Sequence, residues 1–505
     1  MPDSPCQTEI SHPFHNTTSA DVILRSVDDV DFYVHKHILS MASGFFRDLF
    51  SLEQNTQDDS SSKGPPSVIS VTENSDVIEG ILRLCYPVDE PEMTDISKVV
   101  DIFGAAHKYD IRTVQNRLRV PLRSFIDKSP FRVFAHACSY KLEDTAREAA
   151  EAWRSSPESH SKLFTLSSNN RWENTPYSSS YSREMADVPA GIYYRLLQYL
   201  RTGDAPQSFC YPTSPPSPVQ ITPNSYYCQR TLLDAVGAPF DINVHAIDGV
   251  TFPAHRMVLS MASAVLRNLI HEEGNDPIHL SEDACTVAIV LRACYPSAGI
   301  SKLDMPFSLV ATVSQAAMKY TLCDLESVTK QKLGGYISTH PLGVFLNAVH
   351  LEWMEGARAA ALQLSRLPIT DPGPYDPLLE RTPTRVLHAL LKFHFDYRKA
   401  LMQHCYEITT EFRLTNYYSG DAMKDLLPKK LLQEEPSSLY PELLLSSTIY
   451  LLNQASTSGS SSSDAARQPS GAFRNIATIY AKLTHSLSSV SIVSLLCFDP
   501  TTLDD

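Results

Sequence analysis

The sequence predicts an α+β, mostly helical protein that contains the same domain twice, each copy a small sheet capped by helices and followed by a helical extension. Three observations carry this expectation. The stretch Val34-His35-Lys36-His37-Ile38-Leu39-Ser40-Met41-Ala42-Ser43 recurs as Ala254-His255-Arg256-Met257-Val258-Leu259-Ser260-Met261-Ala262-Ser263. Residues 21–50 align with the second copy without a gap, pairing Asp21, Asp28, Val30, Phe32, His35, Leu39, Arg47 and Leu49 with identical residues. From Ala105 the copies align again, Ala105-Ala106-His107-Lys108-Tyr109 against Ala316-Ala317-Met318-Lys319-Tyr320. A period of about 220 residues is far too long for a solenoid and marks a duplicated domain.

Composition narrows the function classes. A chain of 505 residues suggests roughly three or four globular units, and 43% hydrophobic content supplies their cores. The formal net charge of -14 leaves no surplus of cations to neutralise phosphates, so no direct nucleic-acid partner is expected. Ten cysteines without a CxxC pair imply neither a disulfide framework nor a metal module. Reduced thiols fit an intracellular, cytoplasmic or nuclear localisation. Met1 to Asn16 lacks the basic-then-apolar order of a signal peptide, and the apolar run Val490 to Phe498 is too short to span a bilayer, so no membrane association is expected.

Taken in order, Val22-Ile23-Leu24 and Val27, the turn at Asp28-Asp29, then Phe32 and Val34 read as a two-stranded hairpin. Ile38, Met41, Ala42, Phe45 and Leu49 recur at three- and four-residue spacing, an apolar helical stripe that must lie against something. Gln54 to Pro66 is a polar loop that the second copy shortens. Val68-Ile69-Ser70-Val71 and Ile278-His279-Leu280 read as short strands. Thr72 or Ser281 is then expected to cap a helix whose first turn holds Glu73, or Glu282 with Asp283, where the helix dipole favours acids. Both helices run into Tyr-Pro, Tyr86-Pro87 and Tyr295-Pro296, and the proline ends them. The register continues through Pro130/Pro341, Phe134/Phe345 and Ala146/Ala357, and a weaker echo pairs Pro189 to Tyr199 with Pro383 to Phe393.

Segments rich in Ser, Asn, Tyr and Pro, Ser155 to Asp187 and Gly203 to Ser225, read as surface linkers. The tail alternates helix-like stretches, Tyr440 to Asn453 and Phe473 to Leu496, with the polar Ser456 to Ser463. The expected division is a flexible N-terminus at 1–15, a first domain at 16–122 with an extension at 123–203, and a Pro/Ser-rich linker at 204–234. A second domain follows at 235–334 with an extension at 335–418, then a helical tail with its Ser-rich segment at 419–505.

The order of hairpin, Phe-x-x-His-Lys/Arg, helix with Leu-Ser-Met-Ala-Ser, strand, helix ending in Tyr and Ala-Ala-x-Lys-Tyr helix resembles the BTB/POZ domain, twice over. The residues that carry the resemblance are Asp21, Phe32, His35, Lys36, Leu39, Ser43, Phe46 and Tyr86, with Asp241, Phe252, His255, Arg256, Leu259, Ser263, Leu266 and Tyr295. Phe125 to Arg154 and Tyr336 to Arg366 occupy the place of the BACK-like segment that often follows, and the whole is similar to fungal BTB proteins with helical extensions. One departure is common to both copies: proline follows the Tyr where the family commonly has Thr-Gly and a further strand. The resemblance implies a protein-interaction module without a catalytic centre, acting by dimerisation. With two copies on one chain, the pairing is either an intramolecular BTB pseudo-dimer or a homodimer.

It also implies site residues. Family members keep an acid on the first strand and a base at the helix start as a charged pocket near the dimer seam, which puts Asp21 with Lys36 and Asp241 with Arg256 at a BTB-to-BTB contact. The alternative is an ordinary surface pair worth about 0 to 1 kcal/mol. Val88-Asp89-Glu90 lies where some members present an apolar-x-Glu loop to a cullin, whereas Ser297-Ala298-Gly299 in the second copy lacks the acid.

His35 and His255 read as structural histidines bonded to local backbone, and Cys138, Cys323 and Cys405 as inert core thiols. Neither a Gly-x-Ser-x-Gly elbow nor a phosphate-binding glycine loop occurs, so no enzyme, catalytic residue, metal or cofactor is expected. The function expected is a non-enzymatic scaffold acting through BTB-mediated association. The alternatives are a substrate adaptor of a cullin-type ubiquitin ligase and a transcriptional co-regulator.

Overall fold

The computed structural model describes residues 13–15, 19–54, 66–155, 183–186, 188–212, 236–272, 277–295, 300–365 and 375–393. The polar loop after Gln54, most of both linkers, Ser297-Ala298-Gly299, Cys405 and the whole tail lie outside the described residues. Two compact units result. Among the described residues the first holds 13–155, 183–185 and 207–211, and the second holds 186, 188–206, 212 and 236–393.

Each repeat opens on a mixed three-stranded sheet. Val22–Arg25 pairs antiparallel with Asp31–Val34 in the register Val22↔Val34, and on its other side pairs parallel with Ser67–Ser70. Ile242–His245 does the same with Thr251–Ala254 and Ile278–His279. The hairpin turns on a left-handed residue, Asp29 at φ 60° and Gly249 at φ 83°. A central strand flanked on both edges and covered by helices is buried on both faces, which is why Val22-Ile23-Leu24 is a continuous apolar run. The fold is α+β and mostly helical, in agreement with the sequence.

The apolar stripe after the hairpin forms two helices, Lys36–Ala42 and Gly44–Gln54, where one was expected. Ser43 breaks it by standing in extended conformation at φ -135° and ψ 126°. Nor is the stripe Ile38, Met41, Ala42, Phe45 and Leu49 the buried face: Leu39, Phe46 and Phe50 are buried, while Met41 and Phe45 point outward. The break rotates the second helix relative to the first, so helical spacing counted across it selects the wrong face.

The next helices are Ser75–Cys85 and Ala284–Ala293, followed by Ile96–Lys108 with Arg112–Arg123 and Phe307–Lys319 with Cys323–Gly335. Their N-caps correct the expectation: Asn74 and Asp283 take that position, and Glu73 and Glu282 stand outside the helix. Helical hairpins complete each copy, Pro130–Ser139 with Glu143–Ser155 and Pro341–His350 with Met354–Leu364. Both hairpins turn on a left-handed residue at the same repeat position, Lys141 at φ 57° and Glu352 at φ 50°.

Three further expectations need correction. Phe14, inside the supposed flexible N-terminus, is buried, with its ring 5.2 Å from that of Tyr86 and its carbonyl accepting the Tyr33 amide at 2.9 Å. Residues 207–211, inside a supposed linker, are anchored because the Glu143 carboxylate collects the Ser208 hydroxyl and the Phe209 and Cys210 amides at 2.7 to 3.0 Å, burying Phe209. Cys323 is exposed as the first residue of its helix, whereas Cys138 is buried as expected.

The second unit also contains residues from the end of the first repeat. Helix Ala190–Thr202 lies there, and Pro189 bridges Pro383 in antiparallel fashion ahead of the helix over 384–393.

Candidate interaction surface

The entrance of the helix pair is built identically in both copies. Asp21 Oδ1 accepts the backbone amide of Lys36 at 2.6 Å, and Asp241 Oδ1 accepts that of Arg256 at 2.7 Å. The amides at a helix start have no partner within the helix, and a carboxylate satisfies one while facing the positive end of the dipole. The acid of each expected pair thus reaches the base's backbone, and Lys36 Nζ sits 5.3 Å from the centroid of the Phe50 ring. The next bond belongs to histidine. The His35 amide donates to Tyr86 Oη at 2.9 Å with Nδ1 3.3 Å from the same oxygen, and His255 repeats this on Tyr295 at 3.1 and 2.9 Å. His255 Nε2 also lies 2.8 Å from the Ala238 carbonyl, an acceptor only, so the proton is on Nε2 and Nδ1 receives the tyrosine hydroxyl. Burial pushes the Tyr86 phenol up to about 12, which keeps it a hydroxyl.

A second bolt is the buried serine at the helix break. Ser43 Oγ donates to the Tyr109 carbonyl at 2.5 Å and accepts the Phe46 amide at 3.0 Å, and Ser263 repeats both on Tyr320 and Leu266 at 2.6 and 3.1 Å. A third is carboxylate-centred. Lys108 Nζ lies 2.7 Å from Glu73 Oε1 and Tyr109 donates to Glu73 Oε2, while Lys319 and Tyr320 hold Glu282 in the same way at 2.7 and 2.5 Å. Burial acts to raise the Glu73 and Glu282 carboxyls, but the hydrogen bonds from lysine and tyrosine outweigh it and leave both below the ordinary carboxylate range. Sequence reasoning missed this bolt and a fourth, the hairpin-turn aspartate. Asp28 receives the Ser75 amide at 2.8 Å and its hydroxyl at 2.5 Å, and Asp248 receives the Ala284 amide at 3.0 Å. The signal was present, since Asp28 and the Lys-Tyr pair are identical in the two copies.

With these bolts inside, the outer side of the helix pair exposes large apolar side chains next to charged and polar ones, Arg47 and Asp48 in the first copy and Arg267 and Asn268 in the second. Met41 is 76% exposed and Phe45 45%, and in the second copy Met257 is 64% and Met261 76% exposed. Two long unbranched side chains on one short helix make an adaptable patch, suited to packing against another apolar surface. After helix Ser75–Cys85, Val88 is at the surface and Glu90 lies 3.5 Å from Arg117 as an exposed ion pair.

Each copy is an α+β module with a bolted core and large apolar side chains exposed on its outer face, Met41 and Phe45 in the first and Met257 and Met261 in the second. The comparison with known families agrees: residues 10–125 and 234–334 both match the BTB/POZ domain, a module that mediates protein–protein interaction and dimerisation. No curated protein matches the chain. Among the described residues, no group of three or more His, Cys, Asp or Glu stands as a metal site, and no helix is long and apolar enough to cross a membrane.

Proposed function

We propose that the protein is a non-enzymatic interaction scaffold that associates through its BTB domains, the Met41/Phe45 and Met257/Met261 faces each receiving a BTB domain of a second copy of the chain. The carrying observation is the exposure of these side chains on a helix pair whose other side buries Leu39 and Phe46 in the first copy and Leu259 and Leu266 in the second. In this reading Asp21, Lys36, Asp241 and Arg256 flank the seam at the helix entrance, and an obligate contact of this kind buries about 2,000 Å² or more. Light scattering of the full chain is expected to show a dimer or larger species, and Met41→Asp with Met261→Asp to shift it towards the monomer. A wild-type monomer at tens of micromolar, or a variant with unchanged mass, defeats the reading.

A second reading rests on Val88 and Glu90, which stand at the surface after helix Ser75–Cys85: a substrate adaptor presenting this loop to a cullin. Recovery of a cullin with the wild type and its loss on Glu90→Ala supports it, and no cullin recovered with the wild type removes it.

A further inference from the structure

We propose that the two repeats are held to each other, independently of the peptide that joins them, by a self-complementary contact between equivalent segments of their extensions, 186–199 of the first and 380–393 of the second. This goes beyond association through the BTB faces and does not depend on it. Both segments lie in the second compact unit.

The hydrogen bonds carry the argument. The Ala190 amide donates to the Thr382 carbonyl at 2.7 Å, and the Thr384 amide donates to the Val188 carbonyl at 2.8 Å. Since Pro189 corresponds to Pro383, Ala190 corresponds to Thr384 and Val188 to Thr382, so each bond is the other with the repeats exchanged. That reciprocity is the mark of an isologous contact, in which one patch meets its own equivalent about a two-fold axis. The prolines face each other at the one position of an antiparallel bridge where neither residue has to donate, so their missing amides cost nothing there. A single turn of tight helix precedes the bridge in both repeats, Arg183–Met185 and Pro377–Glu380, and a helix follows it in both.

The symmetry is then broken by charge. Arg195 is buried and forms an ion pair with Glu380, to which the Tyr375 hydroxyl also donates at 2.8 Å. Gly191 makes the room, because a methyl group there would overlap the Glu380 carboxylate. The repeat-equivalent positions are Ala389 for Arg195 and Ala186 for Glu380. Two second-repeat extensions facing each other would therefore bury Glu380 against alanine, and two first-repeat extensions would bury Arg195 in the same way. A buried charge without its partner is strongly disfavoured. Only the mixed pair supplies arginine and glutamate together, which selects the contact within one chain over contacts between like repeats.

The test uses the full chain with a protease site inserted within residues 213–235. After cutting, the two fragments are expected to co-elute as a one-to-one complex and to separate in the Arg195→Glu variant, with Arg195→Glu/Glu380→Arg restoring co-elution. Because charge reversal at a buried site risks misfolding, a second measurement stands beside it. Pro189→Cys/Pro383→Cys, with Cα atoms about 4.5 Å apart in such a pair, is expected to oxidise to a cross-link. On a non-reducing gel the uncut chain then runs at monomer mass and the cut fragments stay joined, while either single variant gives no cross-link. Fragments that separate in the wild type overturn the proposal, as does a double-cysteine variant that does not cross-link or that links two chains.

Discussion

The two copies of the repeat treat the same sheet edge in opposite ways. In the first, Tyr33 on the outer strand donates its amide to the Phe14 carbonyl at 2.9 Å, so that residues ahead of the first strand join the edge and bury Phe14. In the second, the equivalent residue is Pro253, which has no amide to offer, and it is Phe240 that covers the histidine, with ring centroids 4.7 Å apart. An unpaired strand edge is a template for another chain, and both solutions close it, one by adding residues and one by removing a donor. Meanwhile Asp21/Asp241, His35/His255, Ser43/Ser263 and Glu73/Glu282 make the same bonds in both copies. Within one chain, the duplicated bonds mark what the fold requires, and the differing edges and faces mark where the copies are free to meet different surroundings.

The sharpest way to break this comparison is at the buried serine. Ser43→Ala removes the cap of helix Gly44–Gln54 and leaves the Tyr109 carbonyl without its donor, a loss of about 2 kcal/mol when the cap and the orphaned acceptor are taken together. Ser263→Ala is expected to cost the same. Hydrogen exchange resolves the two, since Ser43→Ala should deprotect 36–54 and leave 256–272 unchanged. Unequal losses would mean that the shared bonds are not equally needed.

The duplication itself, the hairpin, the order of elements and the helical extension were legible from identities between the copies, because a periodic apolar pattern and a repeated motif need no tertiary information. The helix break was not. Ser43 looks like any helical serine until Tyr109, distant in sequence, supplies the carbonyl that holds it extended. The bond of Asp21 to the Lys36 amide was not legible for a related reason, since a side chain's charge is visible in sequence and a backbone amide is not. Glu73 was read as a helix-dipole acid when its neighbours Lys108 and Tyr109 arrive from another helix. The candidate face emerged indirectly: the stripe was found by spacing, and the structure shows that part of it faces outward.

An intermediate effect is expected at the helix entrance. Asp21→Ala and Asp241→Ala each leave an amide at a helix start unsatisfied, at a cost of about 1 kcal/mol by the measure of other capping residues. Asp21→Asn retains an acceptor and should recover most of it in chemical denaturation. If Asn is as damaging as Ala, the negative charge is what the site uses, and the seam reading of these residues gains support.

The smallest effect is expected at the hairpin-turn aspartate of the first copy and is read by pH. Hydrogen bonds from the Ser75 and Ser26 side chains, aided by the Ser75 amide, hold the Asp28 carboxyl down at about 2. A carboxyl depressed in the folded state contributes stability that is fully present above its unfolded value near 4 and is lost as pH falls towards 2, because the unfolded chain binds the proton first. Asp28 is exposed, so solvent screening keeps the contribution small. Asp28→Asn should therefore flatten the acid limb of thermal stability for the first unit between about pH 4 and pH 2, with little change at pH 7 beyond the lost charge. Unfolding followed by hydrogen exchange across the same range reads this out. An acid limb as steep in Asp28→Asn as in the wild type would assign the acid sensitivity to Glu73, whose carboxyl is also held low and sits deeper in the fold.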